Sequence, residues 1–247
     1  MVPAAVGFQC PECVREGNKD VRTPRTVFGG SVSGDPGVVS KVLIAITVAA
    51  FVAQWAVDGF TERFYDIGLA VDGNTFETVG VADGEVYRLL TSAFLHGGLL
   101  HLLLNVYAIY LFGPHIEAAL GRVRFIVLYL VSALGGSALS YAFAAPNQPS
   151  LGASGAVFGL LGAFLVISRK LRRDTRAVLV LLAINFAYGF LVPRVDWRAH
   201  LGGLVALALV YAPRDRRTLV QVSGTVAVVL ISVAVIAWRT ADLRGSI

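Results

Sequence analysis

The sequence predicts an all-α polytopic membrane protein, with a core of six helices and a seventh transmembrane helix after it. Three observations lead there. Of 247 residues, 56% are apolar and only 15% charged, and the mean hydropathy is +0.70, far from the soluble average. The apolar residues gather in seven runs, roughly 40–57, 96–113, 124–144, 154–168, 176–192, 197–212 and 222–238, of lengths that reach or approach a membrane span. Within hydrocarbon, a helix satisfies its own backbone hydrogen bonds, and few other conformations do.

Taken in order, residues 1–39 form a polar tail, rich in Gly, Pro and Ser around 23–40 and expected to be flexible there. The mostly polar stretch before the first apolar run is the wrong layout for a signal peptide. The connector 58–88 is too long for an idle loop. It carries Phe60, Phe64, Tyr65, Phe76 and Tyr87, which suit a membrane interface. The second span should end near Gly113-Pro114 and Glu117, and the fourth and sixth spans are short. The seventh run has no ionisable residue before Arg239 and no motif. The domains expected are a tail (1–39), a six-helix core (40–212) and a linker with the seventh helix (213–247).

Basic residues set the orientation. The connector 169–176 holds Arg169, Lys170, Arg172, Arg173 and Arg176, while 214–217 holds Arg214, Arg216 and Arg217; Arg122 and Arg124 form a smaller group. All fall on one side if the N-terminus is cytoplasmic, as the positive-inside rule requires. The acidic connector 58–88 then lies outside. The net charge of +5 therefore reflects topology, not nucleic-acid binding, and a multi-pass plasma-membrane protein is expected.

Polar side chains within the apolar runs carry the functional signal. Counting from the basic ends at 1.5 Å per residue, Ser154 lies roughly 22 Å above the inner interface, His200 roughly 21 Å, His101 roughly 24 Å and Asn105 roughly 18 Å. In a hydrocarbon core about 30 Å thick, four polar groups from three helices share one layer. Each has a plain alternative. Gly152-Ala153-Ser154-Gly155 can be a small-residue packing face, and His200, His101 and Asn105 can be interhelical hydrogen bonds. Their coincidence in depth favours chemistry. Serine needs a base within reach to become a nucleophile, and His200 is suited to be that base if the fourth and sixth helices touch. Gly155, Gly159 and Gly162 on one helix and Ala199, Gly203 and Ala206 on the other permit close approach. Ser154 heads its helix, where free N–H groups favour an oxyanion. With no carboxylate at the same depth, the expectation is a Ser-His dyad.

These residues resemble the rhomboid family of intramembrane serine proteases. Gly152-Ala153-Ser154-Gly155 matches the family's G-x-S-G, and Ala199-His200 followed by Gly203 its A-H-x-x-G. His101 and Asn105 match its H-x-x-x-N, with His96 preceding. The resemblance covers about 40–212. It implies Ser154 as nucleophile and His200 as base, with Asn105, His101 and the Ser154 N–H as oxyanion hole. It also implies active-site support from Gly152, Gly155, Phe158, Gly203 and His96. Phe158 takes the aromatic position against the dyad histidine, Tyr87-Arg88 the place of a Trp-Arg pair in the first loop, and Glu117 that of a structural carboxylate. Leu207 stands where the family usually has a glycine. The implied partners are transmembrane protein substrates and the lipid bilayer, with no cofactor. The rival reading is an inactive rhomboid-like protein that binds transmembrane helices without cutting them; a small transporter would show inverted repeats, which are not apparent.

Cys10-Pro11-Glu12-Cys13 offers half a zinc site. No other Cys or His lies in the tail, so zinc is expected there only with ligands from another chain or from residues upstream. A disulfide is disfavoured in a reducing cytoplasm.

Overall fold

The structure, a computed structural model, describes residues 2–3, 7–19, 25–26, 28–32, 34–73, 75–192, 195–211 and 218–245. The basic run 214–217 lies outside the described residues, as do the side chains of Ala206 and Leu207. Two short strands, β1 (Val2–Pro3) and β2 (Phe8–Gln9), pair as a hairpin. Helix α1 (Pro11–Lys19) follows, and the first apolar run forms α2 (Val38–Ala56). The first long loop, loop 1, contains α3 (Phe60–Phe64), the hairpin of β3 (Ala70–Val71) with β4 (Thr78–Val79), and α4 (Arg88–Thr91). The remaining runs form α5 (Leu99–Leu120), α6 (Arg122–Phe143), α7 (Ser154–Lys170), α8 (Arg176–Leu191), α9 (Trp197–Tyr211) and α10 (Thr218–Arg244). Four helices are long and apolar enough to cross a bilayer: α2, α5, α6 and the Gln221–Arg244 part of α10. The protein is an all-α polytopic membrane protein.

Helix α7 is the hub. Its residues from Gly155 to Ala163 are all buried, and α5, α6 and α9 pack around it. Helices α2, α5 and α8 turn large apolar side chains outward, among them Trp55, Leu103, Tyr107 and Ile184, as lipid-facing surfaces do. At 17 residues, α7 is about 25 Å long, less than the hydrocarbon thickness. Its first residue therefore lies below one surface if its Arg169-Lys170 end sits at the other.

Two expectations are corrected. The tail is not loose up to Ser40. Arg25 bridges to Ser31, Phe28 is buried among α2, α5 and α7 side chains, and Lys170 lies 4.9 Å above its ring. A Cβ on Gly37 would touch the Pro114 ring at 3.2 Å, so a Gly-rich sequence here signals close docking. The second span, expected to end near Gly113-Pro114 and Glu117, also runs further, because α5 continues through Pro114 to Leu120. Proline usually breaks a helix by removing a donor. Here α2 holds the segment, with Ser40 against Gly113 and Gly37 against Pro114. One turn on, Glu117 accepts the Val39 and Ser40 backbone N–H groups at 3.2 and 3.1 Å, and the Ser40 hydroxyl at 3.1 Å. A side chain from α5 thus satisfies the orphan donors that open α2.

Loop 1 is organised by Arg88, which is only 3% exposed. Its Nε donates to Glu85 at 2.7 Å, and one terminal nitrogen donates to the Glu62 and Tyr65 carbonyls at 2.7 and 3.1 Å. Tyr65 and Tyr87 flank the guanidinium at 5.7 and 5.8 Å. Phe64 packs between Phe60 and Tyr87, while Phe76 stays exposed. Helix α10 leans on α6 and α9 and reaches loop 1. Leu243 is buried with Val81, Ala82, Leu89 and Tyr141, Arg244 Nε donates to the Ala82 carbonyl at 2.6 Å, and the Tyr141 and Thr240 hydroxyls bond at 2.8 Å.

Candidate active site

The site is assembled where α7 and α9 begin. Gly152 has φ +132°, a conformation that favours glycine, and its N–H donates to the Ser92 carbonyl at 2.9 Å. The missing side chain makes room for the His101 ring. A Cβ on Gly152 would meet that ring at 2.7 Å from Cε1 and 2.8 Å from Nε2, with Ser154 Oγ 3.8 Å away. The imidazole of α5 and the hydroxyl of α7 thus flank one spot. Ser154 is the first helical residue, after Ala153, and no side chain caps the helix. Its opening N–H groups and the positive dipole end are left facing the site.

His200 lies in the first turn of α9, 5% exposed. Its ring stacks on Phe158 with centroids 4.2 Å apart and an 11° interplanar angle. Its Nδ1 faces α8, where a Cβ on Gly189 would come within 3.1 Å. The helices carrying Ser154 and His200 touch through backbone. A Cβ on Gly155 would stand 3.1 Å from the Ala199 carbonyl oxygen, and one on Gly203 would overlap the Gly155 carbonyl. Of the expected small-residue face, Gly155, Ala199 and Gly203 make this contact, while Gly159 lies against Ser132 of α6 and also near the Gly203 carbonyl. Gly136 of α6 joins from behind, its place for a Cβ lying 2.8 Å from the same Ala199 oxygen.

Asn105 is buried on α5, one turn from His101, and its amide donates to the His101 carbonyl at 2.9 Å. An amide has two N–H donors, and this bond uses one of them. His96 is buried just before α5, edge-on to His101 with centroids 4.9 Å apart. Gln54 of α2 fixes the His96 backbone, donating to its carbonyl at 3.2 Å and accepting its N–H at 2.9 Å. Arg88 and Glu117 stand away from this spot, in loop 1 and at the start of α2.

Sequence reasoning missed Gln54, Asp66 and Asp196. Asp196 lies four residues before His200, and an Asp directly before an apolar helical run is an N-cap signal. Asp66 is fully buried in loop 1 and faces Asp196. Burial, then the Asp196 charge, pushes its carboxyl up to about 8, with Arg88 opposing. At the other end, Cys10 and Cys13 are exposed thiols at the start of α1. Bonds from the Cys13 and Glu12 backbone hold the Cys10 thiol below its usual range. Among the described residues no group of three His, Cys, Asp or Glu side chains is placed to hold a metal.

A serine at an uncapped helix start, an imidazole on the touching helix and buried amide and imidazole donors opposite define a membrane protein with the parts for acyl transfer. Comparison with known proteins supplies the family. Residues 83–216 match the Rhomboid domain family, and the chain belongs to that family. It is 41% identical to Rhomboid protease GluP of Bacillus subtilis over 51% of this chain and 25% of that protein. It is 37% identical to Putative rhomboid protease YdcA of the same organism, over 59% and 75%. It is also 37% identical to RHOMBOID-like protein 6, mitochondrial, of Arabidopsis thaliana, over 56% and 48%. The chain thus spans between a quarter and three quarters of the length of these relatives.

Proposed function

We propose that the chain is an intramembrane serine endopeptidase that cuts transmembrane proteins with Ser154 as nucleophile and His200 as base. The observation that carries this reading is the backbone contact of α7 with α9: the residue after Ser154 touches the residue before His200. His200 takes the Ser154 hydroxyl proton as Oγ attacks the scissile carbonyl. The carbonyl oxygen becomes an oxyanion, held by the Asn105 amide, His101 and the Ser154 N–H. His200 returns the proton to the departing amine, and the C–N bond breaks to leave an acyl ester on Ser154. Water, deprotonated by His200, then hydrolyses the ester and frees the serine. Phe158 holds the imidazole flat, and Gly152 leaves the gap in which His101 stands beside the nucleophile.

The N-terminus lies in the cytoplasm of a cell whose plasma membrane holds the protein, and the site opens outward. The core is 40–212, with the tail 1–39 before it and the linker and seventh helix of 213–247 after it. Because α7 starts below the surface, a substrate must unwind within the outer leaflet to expose a peptide bond. Gly and Pro weaken a helix by about 1 and 3 kcal/mol, so spans with such residues near their outer end are the preferred substrates. The test is a gel assay of purified protein with a model transmembrane substrate, alongside labelling by a fluorophosphonate. Ser154→Ala should abolish both cleavage and labelling. Equal labelling of the two proteins, or cuts at the cytoplasmic end of substrates, would overturn the reading.

A further inference from the structure

The carboxylate of Asp196 is bonded from three directions. The Ser150 hydroxyl donates to Oδ2 at 2.8 Å, and the Ser140 hydroxyl donates to the same oxygen. The Arg198 backbone N–H donates to Oδ1 at 3.1 Å, with the Arg198 guanidinium 4.0 Å away. The last of these is the bond of an N-cap residue to the second residue of its helix. The Asp196 carbonyl accepts the His200 N–H at 3.4 Å, opening the ladder of α9. Ser150 is itself fixed: its N–H and carbonyl pair with Asp66 at 2.8 and 2.9 Å. It stands four residues before Ser154, on the segment that leads into α7. Ser140 belongs to α6, against which both α7 and α9 pack.

We propose that Asp196 is a positioning residue of the Ser154–His200 pair, its carboxylate strapping the start of the His200 helix to the segment that delivers Ser154. This rests on the protease reading above. The physical need comes from the glycines. Gly155 and Gly203 let α7 and α9 touch, but glycine surfaces carry no knobs to interlock, so they fix spacing better than register along the axis. Register requires directional bonds, and charge-assisted ones are the strongest available. The Asp196 bonds lie at the end of α9 that carries His200. Other groups facing the strap are consistent with it. Asp66 from loop 1 has both carboxyl oxygens buried without a hydrogen-bond partner. With its carboxyl pushed up to about 8, it holds its proton at neutral pH and does not set a second charge against Asp196. Among the described residues, Arg88 of α4, Tyr141 of α6, and Arg198 and His200 of α9 are the other charged or titratable groups that interact with the two acids.

The test uses the full chain, with Asp196→Ala, Asp196→Asn and the double variant Ser140→Ala/Ser150→Ala. Rates of fluorophosphonate labelling, kcat and KM for a transmembrane substrate, and thermal midpoints are measured for each. Asp196→Ala should lower kcat and the labelling rate about tenfold or more, with KM within about twofold of wild type. Asp196→Asn keeps an oxygen acceptor for the cap and places an N–H donor where the Ser140 and Ser150 hydroxyls can turn to accept it, and should recover most of that loss. The double variant leaves the cap intact and should still lower kcat. Wild-type kcat and labelling in Asp196→Ala beside a lowered midpoint would mean capping alone and overturn the proposal. So would an equal loss in Asn and Ala, or a double variant with wild-type kcat. If wild type and Ser154→Ala were labelled alike, the protease reading itself would fall. If wild type is active and Ser154→Ala dead, only the strap is at stake.

Discussion

Gly203→Ala adds one methyl where α9 comes closest to α7. Its Cβ would lie 2.7 Å from the Gly155 carbonyl carbon and 3.1 Å from the Gly155 Cα, and nearer still to the carbonyl oxygen. Carbon atoms pack best at about 3.5–4.0 Å, so the two helices must part by roughly 1 Å. No side chain can swing aside to absorb this, because the obstacle is the backbone of α7 in its first turn. The displacement therefore falls on the distance between Ser154 and His200. Overpacking of this kind typically costs about 1–3 kcal/mol of stability, while a misplacement of about 1 Å can cost roughly 10²-fold in rate. The rate should suffer more visibly than the fold. Steady-state kinetics on a transmembrane substrate should show kcat down about 10²-fold with KM little changed, in protein whose thermal midpoint proves it folded. Gly202→Ala is the companion variant, since its Cβ would meet the Gly135 carbonyl carbon of α6 at 2.9 Å instead. It should cost similar stability and less rate. Gly73→Ala, with nothing within 4 Å of the added carbon, gives the baseline. A folded Gly203→Ala with wild-type kcat would show that the α7–α9 contact does not set the catalytic distance.

Asn105→Ala should lower kcat roughly 10²–10³-fold, as loss of an oxyanion donor does; a rise in KM with kcat intact would make it a docking residue instead. Arg88→Lys keeps the charge but loses the planar stack between two tyrosines and the fork of bonds to Glu85 and the loop carbonyls. It should cost about 2–4 kcal/mol, read as a fall in the thermal midpoint, and an unchanged midpoint would deny Arg88 its place in loop 1. Asp66 gives a pH dependence whose sign can be worked out. Its folded pKa is raised to about 8, so its contribution is full below the unfolded value near 3.9 and is lost as pH rises through about 8. Wild-type stability should therefore fall between about pH 5 and 8 at up to about 1.4 kcal/mol per unit. Asp66→Asn should flatten that slope, and equal slopes in thermal melts of the two proteins would refute the burial argument.

Much of the architecture is legible in the sequence because apolar runs report directly on helices. The depth count also used only local information, since Ser154, His200, His101 and Asn105 each lie a fixed rise from a helix end. What escaped depends on partners far away in the chain. Pro114 looks like a terminator until Gly37 and Ser40 are seen to brace it. Phe28, in a stretch composed like a linker, is buried only because α5 and α7 offer a groove. Asp196 appears as one more polar residue in a short connector. Its value comes from Ser140 and Ser150, 56 and 46 residues away, and no local pattern announces such a meeting.

The bond from Arg244 to the Ala82 carbonyl spans 162 residues of chain. A ribosome delivers loop 1 early, with Val81, Ala82 and Leu89 short of the side chain that will cover them. Leu243 and Arg244, the last residues of α10, arrive only after five further helices have been made. Contacts this distant in sequence are slow to form, and a half-made membrane protein waits meanwhile with apolar loop surface uncovered. A nascent chain of this design completes the packing of its first loop only when its seventh helix has been threaded into the membrane. Synthesis itself becomes the timer.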